Sequence, residues 1–303
     1  MEFLYFLEKI RLPGLNEFML TITHLGAETA FLVIALIMFW CIDKRRGYYI
    51  LSVGFVGTIL NQFLKLLFRI PRPFELDPQF KCLDAAKPGA TGFSFPSGHT
   101  QSSVGTFGGI AYTEKRKWLR ILAIVIAVLV PFSRMYVGVH TPKDVLVAAA
   151  IALVLVFTLK PVVFKHDGKY MPWMFGCMLI LAVAYLCFVE LYPFPGDINA
   201  DRLLSGVESA YTLLGALTGM LIVYTVDEKW LKFPTKAVWW AQILKVVFGL
   251  VAVLAVKSGL KPVFNLAFGN YIGRAVRYFF VVIVAGLVWP LSFKIFGKLG
   301  HKG

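Results

Sequence analysis

Long apolar segments separated by short polar loops dominate this chain of 303 residues. A helix needs about 20 mainly apolar residues to cross a lipid bilayer. The pattern therefore predicts an all-α protein with nine membrane-spanning helices, of which the third and the seventh are the least apolar. Their predicted bounds are Phe18–Trp40, Tyr48–Phe68, Gly98–Tyr112, Trp118–Val137, Val145–Phe164, Trp173–Tyr192, Leu203–Val226, Ala237–Val256 and Ile272–Phe293.

The predicted helices divide the chain into three parts. Residues 1–17 mix acidic, basic and apolar side chains, which predicts a short amphipathic helix at the membrane interface. Residues 18–166 hold the first five spans and all the polar clusters described below. Residues 167–303 hold four further spans without such a cluster. We therefore expect a helical-bundle core followed by additional C-terminal membrane helices.

Composition supports a multi-pass protein of the cell membrane. The chain is 58% hydrophobic and 16% charged, whereas soluble domains carry about 25% charged residues. The net charge of +14 raises the question of nucleic-acid binding. The basic residues lie in short loops between apolar runs rather than along one helix face, so we expect no nucleic-acid partner. The four cysteines show no metal-binding spacing.

Short loops rich in Lys and Arg mark the cytoplasmic side of a membrane protein. The two tightest basic clusters, Lys44–Arg46 and Lys115–Lys117, follow the first and third predicted spans. They place the C-terminus in the cytoplasm and the N-terminus outside. The loops that carry the polar clusters are then separated by an even number of crossings, so all of them reach the extracytoplasmic face.

The first polar cluster, Lys65 and Arg72, stands at the end of the second predicted span, where a charge is costly unless it serves a function. A guanidinium group matches two phosphate oxygens at once, and an ammonium group offers a compact charge. Both residues therefore suit a phosphate group. Taken alone, Lys65 could instead extend its amine to the lipid headgroups. Arg72, held between Pro71 and Pro73, could be a turn residue.

The second cluster is Pro96-Ser97-Gly98-His99, directly before the third span. Ser97 is a suitable N-cap, and Gly98 lets the backbone approach a ligand closely. The N-terminus of a helix attracts anions through its unpaired N–H groups and its dipole. Ser97 and Gly98 could thus donate to phosphate oxygens beside His99. Alternatively, Ser97 only caps the helix and His99 is an interfacial polar residue.

The third cluster contains Arg134, His140 and Asp144. If a helix begins near Thr141 and Pro142, with proline in its first turn, His140 and Asp144 lie close together. A carboxylate that fixes one imidazole nitrogen orients the other and raises its basicity, as an activated nucleophile or base requires. An isolated histidine at such a position is more often a cap. The presence of Asp144 and of Arg134 favours a catalytic role for His140 over a cap.

These clusters together resemble the three-part motif of the type 2 phosphatidic acid phosphatase family, within the superfamily that includes glucose-6-phosphatases and vanadium haloperoxidases. The resemblance covers about Tyr48 to Lys165, and the last four spans carry none of its motifs. All three parts match in order and without substitution. They are Lys65-x6-Arg72-Pro73, Pro96-Ser97-Gly98-His99 and Ser133-Arg134-x5-His140-x3-Asp144.

The resemblance implies a phosphatase that needs neither a metal nor another cofactor. It implies that His140 attacks phosphorus to form a phosphohistidine, that Asp144 orients it and that His99 protonates the leaving alcohol. The residues that it implies for phosphate binding are Lys65, Arg72, Ser97, Gly98 and Arg134. Ser133 belongs to the motif but receives no separate role.

We therefore expect an enzyme of lipid metabolism that hydrolyses a lipid phosphate at the extracytoplasmic face. Its partners would be membrane lipid and a substrate that is either a phospholipid phosphomonoester or a polyprenyl diphosphate. An arrangement of nine spans with the N-terminus outside is similar to that of glucose-6-phosphatase. A sugar phosphate therefore remains an alternative substrate. Two further alternatives are a phosphotransferase and a non-enzymatic transporter or carrier of anionic lipids.

Overall fold

The computed structural model describes residues 1–299, and this part of the chain is almost entirely helical and has no strand. The predicted all-α fold is therefore confirmed. Three short π-helical segments extend α3, α10 and α11. The helices are α1 (Glu2–Lys9), α2 (Pro13–Thr23), α3 (Glu28–Ile37), α4 (Lys44–Phe68), α5 (Pro73–Leu76), α6 (Gly98–Thr113), α7 (Lys117–Tyr136), α8 (Pro142–Phe164), α9 (Met171–Leu191), α10 (Ala200–Val226), α11 (Trp239–Ile283) and α12 (Phe293–Lys298).

Six helical stretches of the described chain are long and apolar enough to cross a membrane, and a seventh candidate is a bent pair. The polytopic character is confirmed, but the predicted count of nine is not. The predicted first span is broken, because Pro13–Gly26 and Glu28–Ile42 meet at 57°. The predicted third span corresponds to α6, which has 16 residues and extends only about 24 Å.

The predicted eighth and ninth spans both fall in one candidate, Trp239–Lys298. Its backbone turns at Gly269, which has φ +77° and ψ 175°, values that an L side chain rarely adopts. The two arms pack against each other on either side of the turn. The rings of Phe264 and Phe280 are stacked with centroids 5.5 Å apart, and Trp289 Nε1 donates to the carbonyl of Lys245 at 3.1 Å.

The described chain forms two compact units, and each is assembled from separate stretches of sequence. The first contains Met1–Leu32, Val53–Lys160 and Phe194–Gly206, and the second contains Val33–Ser52, Pro161–Pro193 and Val207–Gly303. All the candidate site residues belong to the first unit. The segment Phe194–Gly206 brings the first turns of α10 into that unit, although the three clusters lie far upstream in the sequence.

Buried contacts in the first unit join its N-terminal helices to α7 and the loops around it. Leu4 and Leu7 of α1 are fully buried against Phe80. Arg11, between α1 and α2, donates to the carbonyl of Tyr136 through Nε at 3.1 Å and Nη2 at 2.9 Å. These contacts fix the end of α7, from which the third polar cluster projects.

In the second unit, α10 lies close to the second arm of α11. Gly215 has no side chain, and the carbonyl of Ala275 occupies the place that a Cβ would take. Glu208 and Arg274 form an ion pair of 2.6 Å between the same helices. Small residues let two membrane helices approach closely, and Gly215 does so here between helices of the same chain.

Candidate active site

Residues from all three polar clusters line one cavity of about 180 Å³ in the first unit. Lys65, Arg72, Gly98, His99 and His140 form part of its wall. The structure thus brings the two imidazoles and two of the three predicted cations to the same space. Within residues 1–299, no three His, Cys, Asp or Glu side chains are grouped so that they could hold a metal ion.

Backbone carbonyls of the loop before α6 hold the two cations of the first cluster. The Arg72 guanidinium is buried and donates to Thr91 O at 2.9 Å and Gly92 O at 3.3 Å. Lys65 Nζ donates to the carbonyl of Phe93. Carbonyl dipoles offset part of the free energy that burying a charge costs. They also fix the position of each cation before any ligand binds.

Arg72 also contacts the candidate nucleophile. Its Nη1 lies 2.8 Å from His140 Nε2 and donates to Val139 O at 3.1 Å. An arginine nitrogen is always a donor, so Nε2 must be the acceptor and the ring proton must sit on Nδ1. Burial, followed by the positive charges of Arg72, Arg134 and Lys65, holds the pKa of His140 well below its ordinary value of 6.5. The imidazole is therefore neutral, and its Nε2 carries a lone pair.

Asp144 approaches the other side of the same ring. Its Oδ2 lies 3.5 Å from His140 Nδ1, and it accepts from Ser94 Oγ at 2.6 Å and from the backbone N–H of Thr141 at 2.8 Å. Thr141 Oγ1 accepts in turn from the Asp144 N–H at 3.3 Å. This reciprocal pair is a capping box at the start of α8. It places the carboxylate beside the imidazole, as the four-residue spacing predicted.

Gly138 makes the turn that leads from α7 to His140. Its φ is +87°, a conformation that strongly favours glycine. A Cβ at this position would lie 2.9 Å from Phe80 Cζ and 3.0 Å from Cys82 Cα. The turn therefore needs glycine both for its backbone angle and for the close approach of the neighbouring loop.

The second cluster begins α6 as the sequence predicted. Ser97 is the N-cap, and its Oγ accepts from the N–H of Thr100 at 3.4 Å. The Ser97 N–H donates to the backbone carbonyl of Asp144 at 3.1 Å. This bond ties the start of α6 to the start of α8, so the helix N-terminus that carries Gly98 and His99 faces the third cluster.

Arg134 differs from the other two cations in what holds it. Its Nη1 donates to Thr23 Oγ1 at 2.7 Å, while Nε and Nη2 are buried and have no hydrogen-bond partner in the described chain. Buried donors without partners are unfavourable unless an acceptor arrives. Ser133 has a local role, because its Oγ donates to Val130 O of the same helix at 2.7 Å.

Two polar contacts of the site escaped the sequence reasoning. Ser94 holds Asp144, but it is one serine in a loop of small residues and no spacing distinguishes it. Thr23 accepts a hydrogen bond from Arg134, 111 positions away. Thr23 lies inside the first predicted membrane span. Only the tertiary arrangement reveals either contact.

Two stretches of the chain match known families. Residues 45–168 match the family described as the PAP2 superfamily, and residues 211–301 match its phosphatase transmembrane extension. Phosphatidylglycerophosphatase B of Bacillus subtilis is 36% identical over 164 residues, which are 50% of this chain and 76% of that protein. The chain belongs to the PAP2 superfamily.

Other PAP2 proteins each resemble about half of the chain. The undecaprenyl-diphosphatase of Sulfolobus acidocaldarius is 31% identical over 138 residues, 45% of this chain and 65% of that protein. A crystal structure of a PAP2-type phosphatidylglycerolphosphate phosphatase from Bacillus subtilis is 34% identical, covers 52% of this chain and 80% of its own, and has a TM-score of 0.44. The Bacillus subtilis and Sulfolobus acidocaldarius relatives of the sequence comparison are phosphatases by name, and the chain is an enzyme of the PAP2 phosphatase family.

Two serine variants compare a residue that contacts the site, Ser94, with a residue that only belongs to the sequence motif, Ser133. Ser94→Ala removes the hydroxyl that donates to Asp144, so we expect the rate of phosphate release to fall about tenfold, the value of a hydrogen bond to a charged group. Ser133→Ala removes only a bond within α7, so we expect a change of at most about twofold. Steady-state kinetics of both purified variants measures this. A larger loss for Ser133→Ala than for Ser94→Ala would contradict the assignment.

Proposed function

We propose that this PAP2 protein hydrolyses a lipid phosphate through a phosphohistidine intermediate, without a metal ion, at the extracytoplasmic membrane face. One observation carries the proposal: His140 Nε2 lies 2.8 Å from the donor Nη1 of Arg72, and Asp144 Oδ2 lies 3.5 Å from Nδ1 of the same ring. A neutral imidazole with this tautomer is a nucleophile whose developing positive charge the carboxylate stabilises.

In the first step, His140 Nε2 attacks phosphorus and the bond from phosphorus to the leaving oxygen breaks. Arg72 must transfer its Nη1 hydrogen bond from Nε2 to a phosphate oxygen as the substrate binds. His99, on the wall of the same cavity, lies near buried cations and takes up a proton when the bound phosphate supplies negative charge. It then gives this proton to the leaving oxygen. The products of this step are a free alcohol or a shorter phosphate ester and a phosphorylated His140.

In the second step, water attacks the phosphohistidine. His99, now neutral, accepts a proton from that water, the bond from Nε2 to phosphorus breaks, and inorganic phosphate leaves. The second step returns to His99 the proton that it gave away in the first, and it frees His140 from phosphate. A general acid and base in one position serves both steps.

Fixed positive charge replaces the metal ion in this proposal. The developing charge on the three non-bridging oxygens would meet Lys65, Arg72 and Arg134, and the N–H groups at the start of α6. Arg134 has two buried donors to offer. Donors that are held in place before the reaction stabilise a transition state without the cost of reorganisation.

A lipid substrate follows from the membrane setting and from the relatives. The Bacillus subtilis and Sulfolobus acidocaldarius proteins are named for phosphatidylglycerophosphate and undecaprenyl diphosphate. Both compounds join a phosphate to an apolar chain. We propose the same class here, a phospholipid phosphomonoester or a polyprenyl diphosphate, with membrane lipid around the site.

The extracytoplasmic location rests on the direction of two helices. α6 starts at the site with Gly98 and ends at Thr113, and α7 starts at Lys117 and ends at Tyr136 beside Arg134. The basic loop between them therefore lies at the opposite ends of these helices from the site. Basic loops favour the cytoplasm, which supports an extracytoplasmic site and, with the other basic loops of the sequence, a cytoplasmic C-terminus.

The central experiment is a phosphate-release panel in the presence of a chelator. We expect turnover of phosphatidic acid, phosphatidylglycerol phosphate or a polyprenyl diphosphate to exceed that of glucose 6-phosphate. His140→Ala should abolish turnover, because no nucleophile remains. Lys87→Ala is the control, since Lys87 is half exposed and pairs with Asp84 rather than lining the cavity. An absolute requirement for added metal, or equal turnover of the sugar phosphate, would refute the proposal.

The role of His99 predicts a dependence on the leaving group. His99→Ala should slow release from an alkyl phosphate by about a hundredfold or more, because the alkoxide then leaves unprotonated. Release from p-nitrophenyl phosphate should fall much less, since p-nitrophenolate needs no proton. Comparing kcat for the two substrates tests this. Equal losses for both would exclude His99 as the acid.

Thiol labelling tests the orientation. In a variant without the four natural cysteines, Lys81→Cys and Lys115→Cys each place a thiol at an exposed loop position. A membrane-impermeant maleimide should label the first in intact cells and the second only after the membrane is opened. The reverse pattern would place the site in the cytoplasm.

A further inference from the structure

One arginine outside the three clusters reaches the phosphate-binding residues. Arg202 lies in the first turn of α10, where Asn199 Oδ1 accepts its N–H at 3.0 Å. Its Nη2 donates to Glu75 Oε1, and its side chain is only 17% exposed in this ion pair. The contact joins positions 127 residues apart, within the first unit.

Glu75 connects this arginine to Arg72. Its second oxygen, Oε2, accepts the backbone N–H of Arg72 at 2.8 Å. Arg72 then donates from Nη1 to His140 Nε2 at 2.8 Å. Arg202 is thus connected to the candidate nucleophile through Glu75 and Arg72. Hydrogen bonds make each link between residues, and the Arg72 side chain joins its backbone N–H to its guanidinium group.

A second contact leads from Arg202 to Lys65. The Arg202 guanidinium lies over the ring of Phe93, with Cζ 5.0 Å from the centroid, which is the geometry of a cation–π interaction. The carbonyl of Phe93 is the acceptor for Lys65 Nζ. Arg202 therefore touches the residue that holds the second cation of the first cluster.

Close packing fixes the start of α10 at this place. Leu66, the neighbour of Lys65, is buried. A Cβ at Gly206 would lie 2.6 Å from Leu66 Cδ1, so a side chain at Gly206 would push the helix away from α4. The position of Arg202 is thus set by its helix and not only by its ion pair.

We propose that Arg202 is a positioning residue that holds Arg72 and Lys65 for phosphate binding, an inference that rests on the function proposed above. Glu75 neutralises its charge, so Arg202 acts through these residues and not on phosphate directly. Without Arg202, the half-buried Glu75 carboxylate lacks its partner and competes with phosphate for the Arg72 guanidinium. The substrate and the transition state then both bind more weakly.

Removal of the partner charge should reverse this loss. We expect Arg202→Met to lower kcat/KM about tenfold, because residues of one ion-pair network couple strongly, and to raise the Kd of orthovanadate in parallel. The factor should be equal for p-nitrophenyl and alkyl phosphates, since the acid His99 is unaffected. The double variant Arg202→Met with Glu75→Gln should recover most of the loss, and Arg202→Lys should lie between the wild type and Arg202→Met.

Arg274→Met is the matched control, because it breaks an ion pair of similar exposure with Glu208 in the second unit. We expect its kinetics and vanadate affinity to stay within about twofold of the wild type, as for a surface ion pair. Wild-type affinity in Arg202→Met, or a double variant as weak as Arg202→Met, would overturn the inference. Absence of phosphate release by the wild type would instead refute the proposed function, and calorimetric vanadate binding would still measure the role of Arg202.

Discussion

The concentration of buried positive charge is the constraint on which this site depends. Lys65, Arg72 and Arg134 are each at most 7% exposed, and the carboxylate beside His140, Asp144, is engaged by Ser94 and Thr141. Burial of an unbalanced ion costs several kcal/mol even after the protein relaxes. A fold can keep such a cluster only if other contacts supply that free energy and if an anion provides the missing charge during function.

The surrounding backbone shows how the fold holds the cations apart and in place. Carbonyls of residues 91–93 accept from Lys65 and Arg72, and the N-termini of α6 and α8 are linked through Ser97 and Asp144. The start of α6, which carries Gly98 and His99, lines the same cavity as Lys65 and Arg72. A helix N-terminus and buried cations both favour negative charge, so the cavity suits an anion.

The sequence allowed prediction of what depends on near neighbours. The Ser97 cap and the approach of Asp144 to His140 follow from side chains three or four positions apart, and both occur. The contacts of Ser94, Thr23 and Arg202 join residues 50, 111 and 127 positions apart. No local pattern encodes them, because they depend on how whole helices pack.

Hydropathy has a related limit. It reports how long an apolar stretch is, but not whether its backbone continues straight. The first predicted span contains a bend of 57° next to Gly26, and a Cβ there would lie 2.6 Å from Val130 Cγ1. The bend brings the turn between α2 and α3 to the cavity wall beside His99. A feature that removes one straight span from the count is therefore part of what builds the site.

The position of Arg202 along the chain gives the C-terminal part a role in this arrangement. Glu75 lies inside the region that matches the PAP2 superfamily, residues 45–168, whereas Arg202 lies beyond it and just before the transmembrane extension, residues 211–301. Arg72 is thus connected through Glu75 to a residue from outside the region that carries the motifs. Because one carboxylate is shared between Arg202 and Arg72, the positioning role proposed for Arg202 predicts that a shift of the start of α10 changes the contacts of Arg72. The contact that joins the start of α10 to the motif region is therefore an ion pair within the first unit.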